Sequence, residues 1–147
     1  MTEALDNACT KIAQVLSNVS GLKSVPINPP ETMSYDTFAI VYPNDGVYDL
    51  APVGTRKGLH NIAIDVLTKR MDLARDLARL KPLIDLVAHA ISLQFSYDSN
   101  GNVGQRFGNS LQTAENIVYS IVEKDYGGVP IIGYHMTMTS SKILTEL

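Results

Sequence analysis

Apolar positions recur three and four residues apart over residues 2–18, at Leu5, Ala8, Cys9, Ile12, Ala13, Val15 and Leu16. They predict a helix with one buried face. Thr2 stands where an N-cap is needed, and Gly21 where the helix must stop. The next stretch, Val25-Pro26-Ile27-Asn28-Pro29-Pro30, excludes helix and reads as a stiff extended connector. From Thr37 to Pro43 the pattern alternates, with Phe38, Ile40 and Tyr42 against Ala39 and Val41, as a strand does. Asn44-Asp45-Gly46 predicts a turn, opening a loop that runs to Gly58.

Leu59 to Arg70 carries the clearest strand pattern. His60, Ile62, Ile64, Val66 and Thr68 lie on one side, Asn61, Ala63, Asp65, Leu67 and Lys69 on the other. Asp72 is placed to cap a second helix, whose stripe is Leu73, Leu77, Leu80, Ile84, Val87 and Ile91. Pro82 inside it predicts a kink, or a short helix followed by a longer one. Residues 96–113 are rich in Gly, Asn and Ser and read as a second long loop. Two strands follow, Asn116–Lys124 and Pro130–Ser141, joined through Asp125-Tyr126-Gly127-Gly128.

The order helix, strand, strand, helix, strand, strand does not alternate singly, which argues against a doubly wound parallel sheet. It predicts an α+β fold, a four-stranded mainly antiparallel sheet with helices packed on one face, built as a single domain over residues 1–147. The second sheet face, assigned Ala39, Val41, Ala63, Leu67, Val118 and Val122 between Asn61, Asp65 and Ser120, is too apolar to meet water alone. It implies contact with another chain.

Composition sharpens this. The 147 residues are 45% hydrophobic and only 18% charged, against roughly 25% charged for an average domain. Part of the surface is therefore expected to be covered. The net charge of −3 argues against non-specific nucleic-acid binding, which needs clustered Lys and Arg. No apolar run reaches the roughly 20 residues that cross a bilayer, and the polar start excludes a signal peptide. The single cysteine, Cys9, permits neither an internal disulfide nor a Cys-rich metal site and reads as a small buried residue.

The chemical candidates are thin. His60, His89 and His135 lack metal-ligand spacing. The glycines at 101, 104, 127 and 128 lack the order that cradles phosphate, and no serine-hydrolase elbow exists. Asp72/Arg75, Asp76/Arg79 and Lys81/Asp85 read as ion pairs on a solvated helix face. No catalytic residue, cofactor or metal is expected. The contact candidates are Tyr48, Asp49, Arg56 and Lys57 in the first loop, Asp65 on the second strand, and Arg106 and Phe107 in the second loop.

The strand LHNIAIDVLTKR (Leu59–Arg70), running into DLARDLARLKPLIDLVAHAI (Asp72–Ile91), together with the strand pair around YGGVPIIGYHMTMTSS (Tyr126–Ser141), resembles the tail terminator proteins of long-tailed bacteriophages. The resemblance lies in the layout over residues 2–141 rather than in a tight motif. It implies a virion protein that assembles as a hexameric ring, stacks on the tail tube protein, stops its polymerisation and presents a surface to the head connector. DNA would pass through the lumen without specific binding. A tail-completion or head–tail joining protein of the neck shares the layout. A different class, a small α+β ligand-binding domain or enzyme with His60, Asp65 and Tyr134 around a pocket, is the contrasting expectation.

Overall fold

The computed structural model describes residues 4–22, 37–50, 56–95, 106–109, 111–126 and 128–143; the connector at 25–30 lies outside them. The elements are α1 (Ala4–Leu16), β1 (Phe38–Leu50), β2 (Arg56–Lys69), α2 (Leu73–Leu93), α3 (Arg106–Asn109), β3 (Leu111–Thr113), β4 (Asn116–Tyr126) and β5 (Val129–Ile143). The fold is mixed α+β. All strand pairs are antiparallel, in the order β1-β2-β5, with β4 and the short β3 both pairing along the far side of β5. The four expected strands are present, and β3 is a fifth.

The sheet packs its core against the helices through one set of alternating residues. Ile62, Ile64 and Val66 of β2, Tyr134, Met136 and Met138 of β5, and Ala39 and Val41 of β1 share one buried cluster with α1 and α2. From α1 come Ala8, Cys9, Ile12, Ala13 and Leu16; from α2 come Leu80, Leu83, Val87 and Ile91. Ala39 and Val41 were expected on the opposite face. Alternation fixes which residues go together but not which side they take; the register does, because Ala39 lies opposite Val66 and Val41 opposite Ile64. Phe38 and Ile40 therefore face outward, with Leu67 and Ile131, yet all four are 2% exposed or less. The apolar residues of β1 and β2 on the outer face are thus buried within the chain, whereas Val118 of β4, also expected on this face, is 52% exposed.

The first hairpin departs most from expectation. Asn44-Asp45-Gly46 is no turn: β1 runs through it to Leu50, and residues 46–50 pair with 56–60 of β2. The register slips between Pro43 and Asp45, a bulge. A turn was expected because Pro, Asn, Asp and Gly cluster here. In an edge strand, proline loses no inward ladder bond and a bulge absorbs the extra residue. Of the expected loop 44–58, only residues 51–55 lie between the strands, outside the described residues. The second expected loop likewise contains α3 and β3; residues 96–105 and 110 lie outside the described ones.

Helix α2 begins as its sequence dictates. Asp72 is the N-cap, and its Oδ1 accepts from the Arg75 amide at 3.1 Å. Asp76 turns inward, 2% exposed, and accepts from the amides of Met71 and Asp72 at 2.7 and 3.0 Å. The N-cap amide and the one before it are thereby satisfied. Arg79 lies 3.6 Å from Asp76 and donates from Nη2 to Thr68 Oγ1 at 2.7 Å, tying the helix to β2. The Asp76/Arg79 pair thus has one buried partner, Asp76, and one half-exposed partner, Arg79, rather than lying wholly on a solvated face. Of the expected stripe, Leu80, Val87 and Ile91 are buried and Leu77 and Ile84 pack against the core, joined by Asp76 and Leu83, while Leu73 is 46% exposed. Pro82 sits inside one continuous helix, which is not split in two.

At the centre of the sheet, Leu67 of β2 opposes Gly133 of β5. A Cβ at Gly133 would collide with the Val66 carbonyl oxygen and the Leu67 Cα, both backbone atoms that no rotamer change can move. Gly128 is glycine for another reason, a φ of 86° in the β4–β5 turn with open space around it. Gly133→Ala should cost more than about 3 kcal/mol of unfolding free energy, whereas Gly128→Ala should cost roughly 1 kcal/mol. Urea denaturation of the two variants measures the difference.

Candidate functional site

The polar residues of the outer face converge on one carboxylate. Asp65, mid-way along β2 and fully buried, lies opposite Ile40 of β1 and His135 of β5, and His135 lies opposite Ser120 of β4. Its Oδ2 accepts from the Tyr42 hydroxyl at 2.7 Å and from Lys124 Nζ at 3.0 Å. Its Oδ1 is 2.5 Å from His135 Nδ1, and His135 Nε2 is 3.3 Å from Thr137 Oγ1. The Lys124 ammonium also stands 5.9 Å from the centre of the Tyr42 ring. A buried carboxylate is tolerated only when paired and hydrogen-bonded; here three strands supply its partners.

This arrangement holds His135 with Nδ1 toward the carboxylate and Nε2 toward a hydroxyl, the order of a general-base relay. Thr137 is only 8% exposed and Asp65 not at all, so the group is a structural lock first. Sequence reasoning singled out Asp65 as an interface carboxylate. Its burial removes it from direct contact, and its partners Tyr42, Lys124 and His135 were not identified. Strand parity could have found them, since all four lie on one face once the register is known. The contrasting pocket of His60, Asp65 and Tyr134 does not form: Tyr134 belongs to the helix-packed cluster, and the alternation of β2 puts His60 on that side, away from Asp65.

The other candidates separate. Phe107 was expected at a loop contact but is a core residue, 1% exposed, with its ring edge-on to Phe95 at 5.9 Å. Its amide donates to Gln94 Oε1 at 2.9 Å, and that of Arg106 to the Gln94 carbonyl at 3.0 Å. Both hold left-handed backbone angles, φ 49° and 55°, and so pin α3 onto the end of α2. Tyr48, Asp49, Arg56 and Lys57 fall on the paired ends of β1 and β2, Asp49 opposite Lys57; their side chains lie outside the described residues. Cys9 is buried, and burial, with Asp6 adding to it, pushes its thiol up to about 12.

Two surfaces missed by sequence reasoning stand out at opposite edges of the sheet. On one edge, the ends of β1 and β2 form a two-stranded arm. Among the described residues, 56–58 of β2 pair only with β1, while Leu59 is the last opposite β5. Asn61 sits at the root of the arm, donating to Asp45 Oδ1 at 2.7 Å and accepting from the Ser140 amide at 3.1 Å. Both neighbours of β2 slip register here, so one side chain clamps two bulges and aims the arm. Val47 and Leu59, opposite each other on it, are 65% and 48% exposed.

On the other edge, β4 pairs only with β5 among the described residues, and Val118, Tyr119 and Ile121 are more than half exposed. Between β4 and α2 runs a groove of two lobes. One, about 640 Å³, is lined by Asp85, His89, Ile91, Phe95, Glu115 and Ile117, among others. The second, about 540 Å³, adds Lys81, Pro82, Tyr119 and Tyr134 and shares Asp85, Ala88 and Ile117 with the first. Sequence reading missed this because a groove between a helix and an edge strand depends on sheet order.

No family model and no curated protein matches this sequence. Among the described residues, no helix is long and apolar enough to cross a membrane, and no three His, Cys, Asp or Glu residues group to hold a metal ion.

Two outcomes follow from this geometry. Asp65→Ala, which leaves Lys124, Tyr42 and His135 without their acceptor, should cost about 3–5 kcal/mol, whereas Lys124→Met should cost roughly 1 kcal/mol because the lysine is partly solvated; chemical denaturation measures both. Cys9 should resist iodoacetamide in the folded protein near neutral pH and react fully once urea unfolds it, as mass spectrometry of the labelled chain would show.

Proposed function

We propose that this protein is a structural subunit that assembles with copies of itself into a ring capping a phage tail tube, a tail terminator. The carrying observation is the pair of unlike surfaces at opposite edges of one sheet that have no partner strand among the described residues: the β1–β2 arm and the β4 edge with its groove. A subunit of a cyclic ring needs two different surfaces, each complementary to the other, whereas a two-fold dimer needs one. The arm is a two-stranded ribbon beyond the third strand, and such ribbons are marginal alone. A neighbour would support it.

The layout of strand, capped helix and terminal strand pair, which resembles the terminator proteins, supports the same reading. So does the net charge of −3, since a lumen without clustered cations would let DNA slide rather than bind. The ring, hexameric by that resemblance, would stack on the tail tube protein and offer its other side to the head connector. The chemistry assembled at Asp65 fits a lock holding the strands rather than a reaction centre, because its nucleophile candidate is buried.

Deleting the gene from the phage that encodes this protein should yield tails of uncontrolled length, and adding the purified protein during assembly should restore normal length, both scored by electron microscopy. Tails of normal length that fail to join heads would instead make it a neck protein. Normal, infectious particles would overturn both readings.

A further inference from the structure

The outer side of β4 is an open strand edge. Among the described residues β4 pairs only with β5, in an unbroken register from Asn116 opposite Thr139 to Tyr126 opposite Val129, and its sequence NIVYSIVEKDY holds neither proline nor glycine. Such an edge offers a row of backbone N–H and C=O groups to any added strand. Val118, Tyr119 and Ile121 are more than half exposed, so apolar side chains flank that row on both faces of the sheet. Tyr119 and Ile121 lie on the helix side, opposite Met136 and Tyr134, and Val118 on the outer side, opposite Thr137.

The strand is complementary to itself in one register. Val118-Tyr119-Ser120-Ile121-Val122 is nearly symmetric about Ser120. When two such strands run antiparallel about a two-fold axis at Ser120, Tyr119 faces Ile121 of the second copy and Val118 faces its Val122, each contact made twice. Directly opposed residues share a sheet face, so aromatic–β-branched and aliphatic pairs form on both faces. Further out, Ile117 faces Glu123 and Asn116 faces Lys124, which sets no like charges opposite each other within the ladder. Moving the axis to Tyr119 shortens the ladder to 116–122 and sets Val118 against Ser120 and Val122 against Asn116. Moving it to Ile121 sets Tyr119 against Glu123 and Val118 against Lys124. The helices leave room. Helix α2 packs over β2 and β5, and the two β5 strands lie three strand spacings, about 14 Å, apart, beyond the roughly 8–10 Å at which helices touch.

We infer that β4 is a two-fold interface between copies of this chain, joining their sheets edge to edge with Ser120 at the axis. The contact stands apart from the ring reading: a ring needs the same edge for a neighbour, so paired copies must separate before they cap a tail. One repulsive contact accompanies it. Beyond each end of the ladder Glu115 stands beside Asp125 of the second copy, so the pairing tightens as salt screens these charges.

The test uses variants of the full chain, each checked for folding by circular dichroism. On mild oxidation Ser120→Cys should form a disulfide-linked dimer about tenfold or more faster than Val118→Cys, because position 120 alone meets its own copy at the axis. The wild type, whose single Cys9 is buried, serves as the blank. In sedimentation velocity, Tyr119→Lys and Ile121→Glu should each weaken dimerisation about tenfold, since each substitution strikes two cross-strand pairs. The double variant Tyr119→Lys/Ile121→Glu should recover it, because each lysine then faces a glutamate. Cross-linking at 120 no faster than at 118, single variants that dimerise as the wild type does, or a double variant no tighter than the single ones overturns the contact. None of these results touches the ring reading, which tail length in the gene deletion judges alone.

Discussion

Pairing of β2 with β5 is the constraint on which the rest of this structure depends, because β5 carries β4 and β3 on its other side and β2 carries β1. That seam is held in two ways. Gly133 allows the backbones of the two strands to approach where no side chain could fit. Two residues further along, on the same face, Asp65 and His135 face each other directly. Asp65 then reaches β1 through the Tyr42 hydroxyl and β4 through Lys124, so one carboxylate ties all four long strands together. Burying it costs several kcal/mol unless its oxygens are satisfied, and a register slip of one residue would turn Asp65 toward the helices and strand it there. The polar lock therefore specifies register more than it adds stability.

The helices follow from this register. Once Ile62, Ile64 and Val66 are aligned with Tyr134, Met136 and Met138, they present one apolar surface, and α1 and α2 cover it. Asp76 fixes the start of α2 by accepting two backbone amides, and Arg79 ties that turn to Thr68 on β2. Phe107 closes the far end against Phe95. The polar groups at both ends of α2 thus act as anchors, which is why charged pairs that look solvated in the sequence are partly withdrawn from water.

Local signals were legible and relational ones were not. The 3.6-residue period of α1, the Asp72 cap and the alternation of β2, β4 and β5 each depend on neighbouring residues, and all could be read. The hairpin could not. Pro43 and Asn44-Asp45-Gly46 have turn chemistry, and only the position of β1 at an edge makes a bulged, continuous strand the better solution. The face taken by Ala39 and Val41 depends on pairing with β2, and the burial of Phe107 on the docking of α3. Asp65 was singled out from its place in a strand, but its partners come from three other strands. The groove depends on sheet order, which no single segment encodes.

The two edges of the sheet are treated unequally, and that inequality bears on assembly. An exposed strand edge invites pairing with other chains, and proteins that must stay apart blunt it with proline, bulges or charge. At β1 the chain does this, with Pro43 and the register slip beside it. At β4 it does not: Val118, Tyr119 and Ile121 stand exposed in a run without proline, and charge enters only at Glu123. The bulge at β1 has a second effect, since with the slip in β5 and the clamp of Asn61 it sets the direction of the arm. One device thus closes an edge and aims a projection. A chain that guards one edge while leaving the other apolar has two unlike edges, and that asymmetry is what the proposed ring rests on, since a symmetric dimer would need only one of them.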